Sequence, residues 1–468
     1  MGRRNKNRQP VEVVLDRLEE KHTSGSAPDG RRWKIRGAPV GATVQAWPGR
    51  KQTARRTSIL APAPDQVAAP CPAFGTCGGC QLQEMPLSAQ RHHKQDLITR
   101  LVAADQGLDG VQVHALRGAH AAYGYRNKVE LSWGTTRYAP EGTLHEAREA
   151  GTLDGSFLGF HPPGWFSRIV PISRCALATE AMNVVLDHVS NLGLGPAWDT
   201  REHTGVWRHL VLRDAGSPAA PAVLVGLVTT STAPEDEVRA VAAGIAALPG
   251  VRSIVWITTD RLSEVAQGDL RAVLHGPGTM DFRLGGVTLQ LPHDAFFQVN
   301  SAGAEVLLDT IEEALFPEDE VDREAAGVLV DLYCGVGAIG LALAHRFTRV
   351  VGIELHEGAI QSAVANAERN GIEGMWRSGP VEDILPGLSL PSPRRIVVDP
   401  PRAGLHPRAA AYLSEVRADV LVYVACGPKS LARDRETLSA GGWRMTDQWS
   451  VDLFPQTHHG EAVARFVR

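Results

Sequence analysis

The sequence predicts an α/β protein, in which a small β-barrel and an α+β region dominated by strands precede a Rossmann-like parallel sheet. From about residue 326, apolar runs alternate with helical stretches, as in a parallel sheet wrapped by helices. Short alternating strands broken by turns fill residues 10–60, a pattern typical of small barrels. A chain of 468 residues can bury more than one core. We therefore predict three domains, at 1–62, 63–285 and 286–468.

Basic charge is concentrated at the amino end. Residues 1–60 hold 14 Lys and Arg against 5 Asp and Glu, a net charge of +9, which leaves 34 against 47, or −13, for the rest of the chain. Such an arm suits attraction to a phosphate backbone. A solvated tail explains its first four cations equally well; these are Arg3, Arg4, Lys6 and Arg8. No stretch approaches the roughly 20 apolar residues that span a bilayer, so we expect a cytoplasmic protein without membrane contact.

Four residues with chemical potential follow the apolar runs of the carboxyl-terminal region. Each of them stands at or just after the end of a run: Tyr333, Glu354, Asp399 and Cys426. In open parallel sheets, ligands bind beyond the carboxyl ends of the strands. We therefore expect these four side chains at one edge of one sheet.

Two loops of this region have the composition of ligand-binding turns. GVGAIG (335–340) matches the dinucleotide fingerprint, which fits NAD as well as S-adenosylmethionine. Glu354 is then placed to bind the ribose hydroxyls of such a ligand. A plain strand-to-helix turn is the alternative explanation of GVGAIG. In DPPRAG (399–404), two prolines fix an extended backbone without N–H donors, so that the carbonyls and the Asp399 carboxylate can face a ligand. The second loop favours methyl transfer over nicotinamide chemistry.

Cys426 lies between an apolar strand and a helix predicted to begin near Lys429. A thiol close to a helix N-terminus can have a lowered pKa and act as a nucleophile. The alternative, a small buried thiol, is a better account of Cys334. Gly427 and Pro428 indicate an exposed turn after Cys426.

Five motifs together resemble those of the TrmA/RumA-like RNA 5-methyluridine methyltransferases. In chain order they are FFQVN (296–300), VDLYCGVGAIG (330–340), VVDPPRAG (397–404), YVACGPKSLARD (423–434) and FPQTHHGE (454–461). The resemblance covers essentially the whole chain. It implies a seven-stranded methyltransferase domain, an OB-like TRAM barrel at the amino end, and S-adenosylmethionine-dependent methylation of uridine carbon 5 in RNA.

The resemblance also implies roles for individual residues. Cys426 corresponds to a nucleophile that adds to carbon 6 of uracil, and Glu461 to the base that removes the carbon 5 proton. Topology supports Glu461 independently, because it begins EAVARFVR, a last strand that is expected to run antiparallel to the others and so to start at the ligand edge. The implied cofactor contacts are Gln298, Tyr333, Glu354 and Asp399.

At three positions the chain departs from the pattern of that family. Ala338 replaces a frequent Asn or Thr, Pro380 stands where Asn or Asp is common, and Gly427 follows Cys426 where Asn is common. We therefore assign no side-chain ligand role to Ala338 or Pro380.

Four further cysteines have metal-ligand spacing. Cys71, Cys77 and Cys80 lie in CPAFGTCGGC, a C-x5-C-x2-C pattern, and Cys175 is the natural fourth ligand. Spacing alone leaves an iron–sulfur cluster and a structural zinc site equally open. The family resemblance implies a 4Fe-4S cluster, which we expect to stabilise an RNA-binding region.

The resemblance further implies an RNA partner, with 23S rRNA favoured over tRNA, and we expect a monomer. Single-stranded loops are the expected target form. Besides the barrel, Arg126 and Lys128 are candidates for phosphate contact, although a solvated strand end explains them almost as well. Two competing hypotheses are a non-catalytic iron–sulfur RNA-binding protein with a degenerate methyltransferase fold, and a nicotinamide oxidoreductase.

Overall fold

The computed structural model describes residues 9–140, 143–263, 265–316, 327–389 and 394–468. The four cations predicted to form a basic tail lie outside these ranges. No helix within them combines the length and the apolar content needed to cross a membrane.

The amino-terminal strands close into a barrel. They are β1 (Val11–Leu18), β2 (Thr23–Ser26), β3 (Arg32–Ile35), β4 (Thr43–Pro48) and β5 (Thr53–Ala61), in the order β1-β2-β3-β5-β4. Alternation decides which face of a strand is buried: Val13 and Leu15 of β1 lie in the core, whereas Glu12 and Asp16 are exposed. The predicted barrel is confirmed.

A helix connects the barrel to the rest of the molecule. The spacing of apolar residues in MPLSAQRHHKQDLITRLVAA (85–104) predicts a helix here, and the structure contains α1 (Leu87–Ala103), which follows Pro86. It buries Leu97, Ile98 and Val102. Two short strands come next, β6 (Gln112–Val113) and β7 (Arg117–Gly118).

The middle of the chain forms a seven-stranded sheet with helices. Its elements are β8 (Lys128–Thr136), α2 (Leu144–Glu149), β9 (Asp154–Phe160), β10 (Val170–Pro171), α3 (Glu180–Ser190), β11 (Trp207–Asp214), β12 (Val223–Thr229), α4 (Glu235–Ala246), β13 (Val251–Thr258) and β14 (Asp269–His275). The strand order is β10-β9-β8-β11-β12-β13-β14. The polar, turn-rich sequence of residues 139–156 predicts a mobile loop, but the described part of this segment contains α2 and the start of β9. Ala, Glu and Arg in LHEARE are strong helix formers, which explains this helix.

The carboxyl-terminal region begins with a hairpin and a helix and continues as an α/β sheet. Its elements are β15 (Thr279–Leu284), β16 (Val287–Pro292), α5 (Ser301–Leu315), β17 (Val328–Leu332), α6 (Ala338–Ala342), β18 (Arg349–Glu354), α7 (Glu357–Arg369), β19 (Gly374–Ser378), α8 (Val381–Ile384), β20 (Arg394–Val398), α9 (Pro407–Glu415), β21 (Val420–Ala425), α10 (Pro428–Ala440), β22 (Arg444–Asp452) and β23 (Glu461–Val467). The sheet order is β19-β18-β17-β20-β21-β23-β22-β6, and β7 also pairs with β22.

The strands β17 to β23 form the predicted seven-stranded Rossmann-like sheet. Strands β17 to β21 are mutually parallel, and β23 runs antiparallel between β21 and β22, as its sequence position predicted. Residues 112–118 extend the sheet through β6 and β7, which the sequence did not predict. One hydrophobic core joins this sheet to the middle one, since Val211 and Val255 pack in the same cluster as Leu329 and Trp449.

Candidate active site

Five consecutive strands bring the predicted functional residues to one edge of the sheet. Glu354 ends β18, Tyr333 follows β17, Asp399 follows β20, and Cys426 follows β21. Glu461 begins β23 at the same edge, because that strand is antiparallel. The expected convergence of these side chains is therefore present.

Cys426 and Glu461 lie at the ends of adjacent strands. The last residue of β21, Ala425, pairs with Ala462, so the residues just beyond this pair, Cys426 and Glu461, face each other. Cys426 is exposed, whereas Glu461 is only 4% exposed. This pairing sets a thiol that a substrate can reach beside a carboxyl group that is shielded from water.

The environment of Cys426 raises its pKa to about 11, because of partial burial first and then the negative charges of Glu461 and Asp399. The sequence had suggested a pKa lowered by the helix N-terminus. That expectation is wrong for the protein without ligands, because two carboxyl groups share the edge with the thiol. A positive charge brought to this edge would favour the thiolate.

Both neighbouring carboxyl groups also have raised pKa values. Burial, followed by the charge of Asp399, raises the pKa of Glu461 to about 8. Burial raises the pKa of Asp399 to about 7. Arg402 opposes the upward pKa shifts of Cys426 and Glu461, since its cation lowers the pKa of both groups. Sequence reasoning missed Arg402, although it lies inside the DPPRAG motif.

The loop after β17 and the end of β18 are joined by hydrogen bonds. The Gly335 N–H donates to Glu354 Oε2 at 3.1 Å, and the His356 N–H donates to Oε1 at 3.0 Å. Tyr333 adopts a left-handed backbone conformation with φ of 64°, and its N–H donates to the Ile353 carbonyl at 2.9 Å. A Cβ placed on Gly335 would meet open space. The backbone at Gly335 is therefore accessible to a ligand, and the Glu354 carboxylate is held in place.

Asp331 is a further acid that sequence reasoning missed, although an aspartate inside the apolar strand VLVDL was a visible signal. Its side chain is buried, and the Gly340 N–H donates to its Oδ2 at 2.8 Å. Burial, and then the charges of Asp399 and Glu354, raise its pKa to about 7. The edge of the sheet therefore holds a cluster of carboxyl groups, which is electrostatically suited to a cationic ligand.

Gln298 lies on the segment between β16 and α5. Its carbonyl accepts a hydrogen bond from Asn127 Nδ2 at 3.0 Å, and the Asn127 N–H donates to the Val299 carbonyl at 2.8 Å. Asn300 then caps α5, because its side chain accepts the Gly303 N–H. The half-buried Gln298 side chain is thus carried on a firmly held backbone.

The loop that precedes Glu461 is tied to α1. Lys94 Nζ donates to Asp452 Oδ1 at 2.6 Å and to the Phe454 carbonyl at 2.9 Å. Gln90 makes reciprocal bonds with Gln456: its Oε1 accepts the Gln456 N–H at 2.8 Å, and its Nε2 donates to Gln456 Oε1 at 2.9 Å. These buried contacts determine where the chain enters β23.

The segment that contains Cys71, Cys77 and Cys80, called the cysteine segment below, contacts the loop that precedes Glu461. The Gln81 and Leu82 N–H groups, directly after Cys80, donate to the Gln456 carbonyl at 2.9 and 3.1 Å. All four predicted ligands line one pocket: Cys71, Cys77, Cys80 and Cys175. Within the part of the chain that the structure describes, no three His, Cys, Asp or Glu side chains are grouped closely enough to hold a single metal ion.

Arg126 lines this cysteine pocket too, and its Nε donates to the Lys128 carbonyl at 2.8 Å. Lys128 pairs with Glu130, with 2.5 Å between Nζ and Oε1. Of the two predicted phosphate contacts, Lys128 therefore has an acidic partner on its own strand, in a partly exposed ion pair.

Comparison with known proteins shows which proteins this chain is similar to. A family model described as tRNA (uracil-5-)-methyltransferase matches residues 286–376 and 388–466. An uncharacterized RNA methyltransferase of Chlorobaculum tepidum is 34% identical, over 97% of this chain and 95% of its own length. Another, from Caldanaerobacter subterraneus subsp. tengcongensis, is 30% identical over 97% of this chain and 98% of its own length.

One solved structure shares the fold along its whole length. The Pyrococcus abyssi tRNA (uracil-54, C5)-methyltransferase, in complex with S-adenosyl-L-homocysteine, has a TM-score of 0.74 and 24% sequence identity. The match covers 98% of this chain and 99% of that chain.

Proposed function

Because this chain belongs to the tRNA (uracil-5-)-methyltransferase family, which comprises the TrmA/RumA-like enzymes, we propose that it transfers a methyl group from S-adenosylmethionine to carbon 5 of uridine in RNA. The observation that carries the proposal is the placement of Cys426 opposite Glu461 at the carboxyl edge of the sheet. A nucleophile and a base on adjacent strands suit a reaction that needs both on one pyrimidine ring.

The residues at this edge fit S-adenosylmethionine, which carries a positively charged sulfonium and an ammonium group. Asp331 and Asp399 place two buried carboxyl groups at this edge, and burial is the main reason that the pKa of each rises to about 7. Both groups become negatively charged as the pH rises through that value, which suits a cationic ligand. Glu354 stands where a ribose would be bound, and open space at Gly335 lets a ligand approach the backbone. Tyr333 and Gln298 are the remaining side chains that we assign to this site. When bound, S-adenosylmethionine supplies an electrophilic methyl group.

The chemistry assigned to Cys426 begins with a bond from its Sγ to carbon 6 of uracil. The electron pair of the carbon 5–carbon 6 double bond moves toward the carbonyl at carbon 4, giving an enolate whose carbon 5 is nucleophilic. With S-adenosylmethionine bound, carbon 5 would take its methyl group, and S-adenosylhomocysteine would leave with the electron pair of the broken carbon–sulfur bond. Since burial and two acids raise the Cys426 pKa to about 11, the thiolate must be favoured by Arg402 and by the cationic cofactor.

Glu461 completes the reaction as a base. Its carboxylate takes the proton from carbon 5, the double bond forms again, and the bond between Sγ and carbon 6 breaks to release the Cys426 thiolate. The pKa of about 8 makes this carboxylate a stronger base than an ordinary glutamate.

Two variants test this mechanism. Cys426→Ala should abolish methylation, whereas Glu461→Gln should allow addition but block release, so that a protein–RNA adduct survives denaturing electrophoresis. Cys334→Ala is the comparison thiol, because Cys334 is buried on the loop after β17, two strands away from β21, and forms no bond to the substrate in this mechanism. Methylation by Cys426→Ala would rule out covalent catalysis, and a wild type that binds RNA without methylating it would favour a non-catalytic RNA-binding protein.

We propose further that the four cysteines hold a 4Fe-4S cluster. Their thiols line one pocket between the cysteine segment and the connection from β10 to α3, and they supply the four-sulfur donor set that such clusters use. Iron and sulfide analysis of anaerobically purified protein should find both; stoichiometric zinc without iron would refute the cluster.

For the substrate, we propose 23S rRNA, with tRNA as the second candidate. The cysteine pocket supports the first, because the cluster-bearing branch that the chain resembles modifies ribosomal RNA. The description of the family model, and the substrate of the Pyrococcus abyssi relative, favour the second. Mapping 5-methyluridine in ribosomal and transfer RNA from cells with and without this gene separates the two.

A further inference from the structure

Two large aromatic side chains are exposed next to each other on the loop that joins β9 and β10. Trp165 is 50% exposed and Phe166 is 73% exposed. The Arg168 guanidinium lies 5.0 Å from the centre of the Trp165 ring, and Arg201 Nη2 donates to Ser167 Oγ at 3.3 Å. Adjacent exposed aromatic rings with cations beside them are an arrangement that binds unpaired nucleic acid, since bases stack on the rings and phosphates pair with the cations.

The loop holds these rings in a defined position. The Trp165 N–H donates to the Pro162 carbonyl at 3.1 Å, and Gly164 supplies the left-handed residue of this turn with φ of 81°. The His161 ring bonds to the Arg168 carbonyl across the base of the loop, with Nδ1 at 3.0 Å. A preorganised turn of this kind loses little conformational entropy when a partner binds.

The cysteine segment supports the loop from below. A Cβ on Gly78 would lie 3.3 Å from the His161 carbonyl oxygen and 3.5 Å from Pro163 Cγ, so only a glycine lets the two segments pack this closely without adjustment. Phe160, the last residue of β9, lines the cysteine pocket together with Arg126. The cysteine pocket therefore forms the base on which the aromatic loop rests.

The loop follows the end of β9 that lies beside the start of β8. Strand β9 runs antiparallel to β8, so its end points toward the start of β8. That start follows Asn127, whose side chain holds the Gln298 carbonyl. The aromatic loop and the segment that carries Gln298 therefore both lie at the amino-terminal end of β8.

We propose that Trp165 and Phe166 form a stacking platform for unpaired bases of the substrate RNA outside the target uridine, with Arg168 and Arg201 contacting its phosphates. This inference rests on the proposed function, because it takes RNA as the substrate. The platform explains why two large aromatic side chains remain in water on a loop that is otherwise well anchored.

The test compares four variants with the wild type, each as the metal-loaded protein; the fourth, Arg168→Ala, is used in the salt series. The double variant Trp165→Ala/Phe166→Ala should raise the dissociation constant for fluorescein-labelled oligouridine, measured by anisotropy, about tenfold or more. Trp165→Phe/Phe166→Tyr should retain wild-type affinity, because it keeps both rings. Leu270→Ala is the matched control, since Leu270 is 48% exposed on β14, at the opposite edge of the same sheet.

Salt dependence and kinetics distinguish stacking from other effects. The Trp165→Ala/Phe166→Ala variant should keep the wild-type dependence of affinity on salt, whereas Arg168→Ala should reduce the slope by about one. With RNA from cells lacking the gene as substrate, the double variant should raise KM and leave kcat unchanged. If the dissociation constant and KM of the double variant are unchanged, the stacking platform is refuted, and the exposed Trp165 and Phe166 side chains would instead fit a protein partner. The proposed function, and not the platform, would be refuted by a different result: the wild type methylates no RNA, but its binding of oligouridine still depends on Trp165 and Phe166.

Discussion

The buried ion pair between α1 and β22 offers a sharp test of how the loop before Glu461 is held. The Lys94 side chain is 1% exposed and the Asp452 side chain 0% exposed, with 2.6 Å between Nζ and Oδ1. Burial lowers the Lys94 pKa, and the charge of Asp452 opposes that shift. Replacing Lys94 with Met keeps the length of the side chain and removes its charge.

The loss of stability expected for Lys94→Met depends on the contacts that the Asp452 carboxylate keeps. Without Lys94, the Asp452 carboxylate stays buried, with Arg91 Nε as a more distant partner at 3.6 Å. Breaking a buried pair on one side costs about 3–5 kcal/mol, and because Arg91 compensates in part we expect about 3 kcal/mol. The Phe454 carbonyl also loses its donor, so the chain that leads into β23 should loosen.

Urea denaturation of Lys94→Met measures this loss as a lower unfolding midpoint. The double variant Lys94→Met/Asp452→Leu is the control, because replacing both partners of a buried pair with apolar side chains is often close to neutral. The double variant should therefore recover most of the lost stability. A single variant that loses less than about 1 kcal/mol, or a double variant less stable than the single one, would contradict the assigned role of this pair.

Three further predictions concern the carboxyl groups of the active-site edge. Asp399, with its pKa of about 7, ionises between about pH 6 and pH 8, and its negative charge favours a cationic ligand. Affinity for S-adenosylmethionine, measured by calorimetry, should therefore rise over this range, and affinity for S-adenosylhomocysteine, whose sulfur is neutral, should rise less. An equal pH dependence for both ligands would argue against a role for the carboxyl groups at this edge. Arg402→Gln removes the cation that lowers the pKa values of Cys426 and Glu461, so the acid limb of the methylation pH profile should move to higher pH, and an unshifted limb would exclude this role. The pKa of Asp331 is about 7 in the folded protein against an ordinary 3.8, so between these pH values the folded protein holds a proton that the unfolded chain has released. The contribution of Asp331 to the free energy of unfolding therefore falls as the pH rises through this range. Asp331→Asn should gain stability relative to the wild type between about pH 4 and pH 8, and stability curves of the two proteins that stay parallel would disprove this.

The sequence predicted the parts of this molecule that depend on local pattern. Apolar runs followed by polar residues located the strand ends, and this pattern alone was enough to assign Glu354, Asp399 and Cys426 to one edge of the sheet. The direction of the last strand placed Glu461 there as well. The short strand β19 and helix α2 were missed, because polar segments of this kind have weak periodicity.

The electrostatic state of the site could not be predicted in the same way. A thiol beside a helix N-terminus suggested a low pKa for Cys426, whereas the shared edge with Glu461 and Asp399 raises it. That outcome depends on burial and on charges brought together from separate strands. For the same reason Arg402 attracted no assignment, since its effect exists only where β20 and β21 end side by side.

Long-range contacts around Gln456 join the cysteine segment and α1 to the loop that leads into β23, although most of the chain separates them in sequence. The Gln456 carbonyl accepts the two N–H groups that follow Cys80, its side chain and N–H bond to Gln90, and its backbone adopts a left-handed conformation with φ of 70°. A non-glycine residue keeps such a conformation only when its surroundings hold it there. Order in the cysteine segment therefore helps to determine where β23 begins, and so where the Glu461 carboxylate stands relative to the Cys426 thiol.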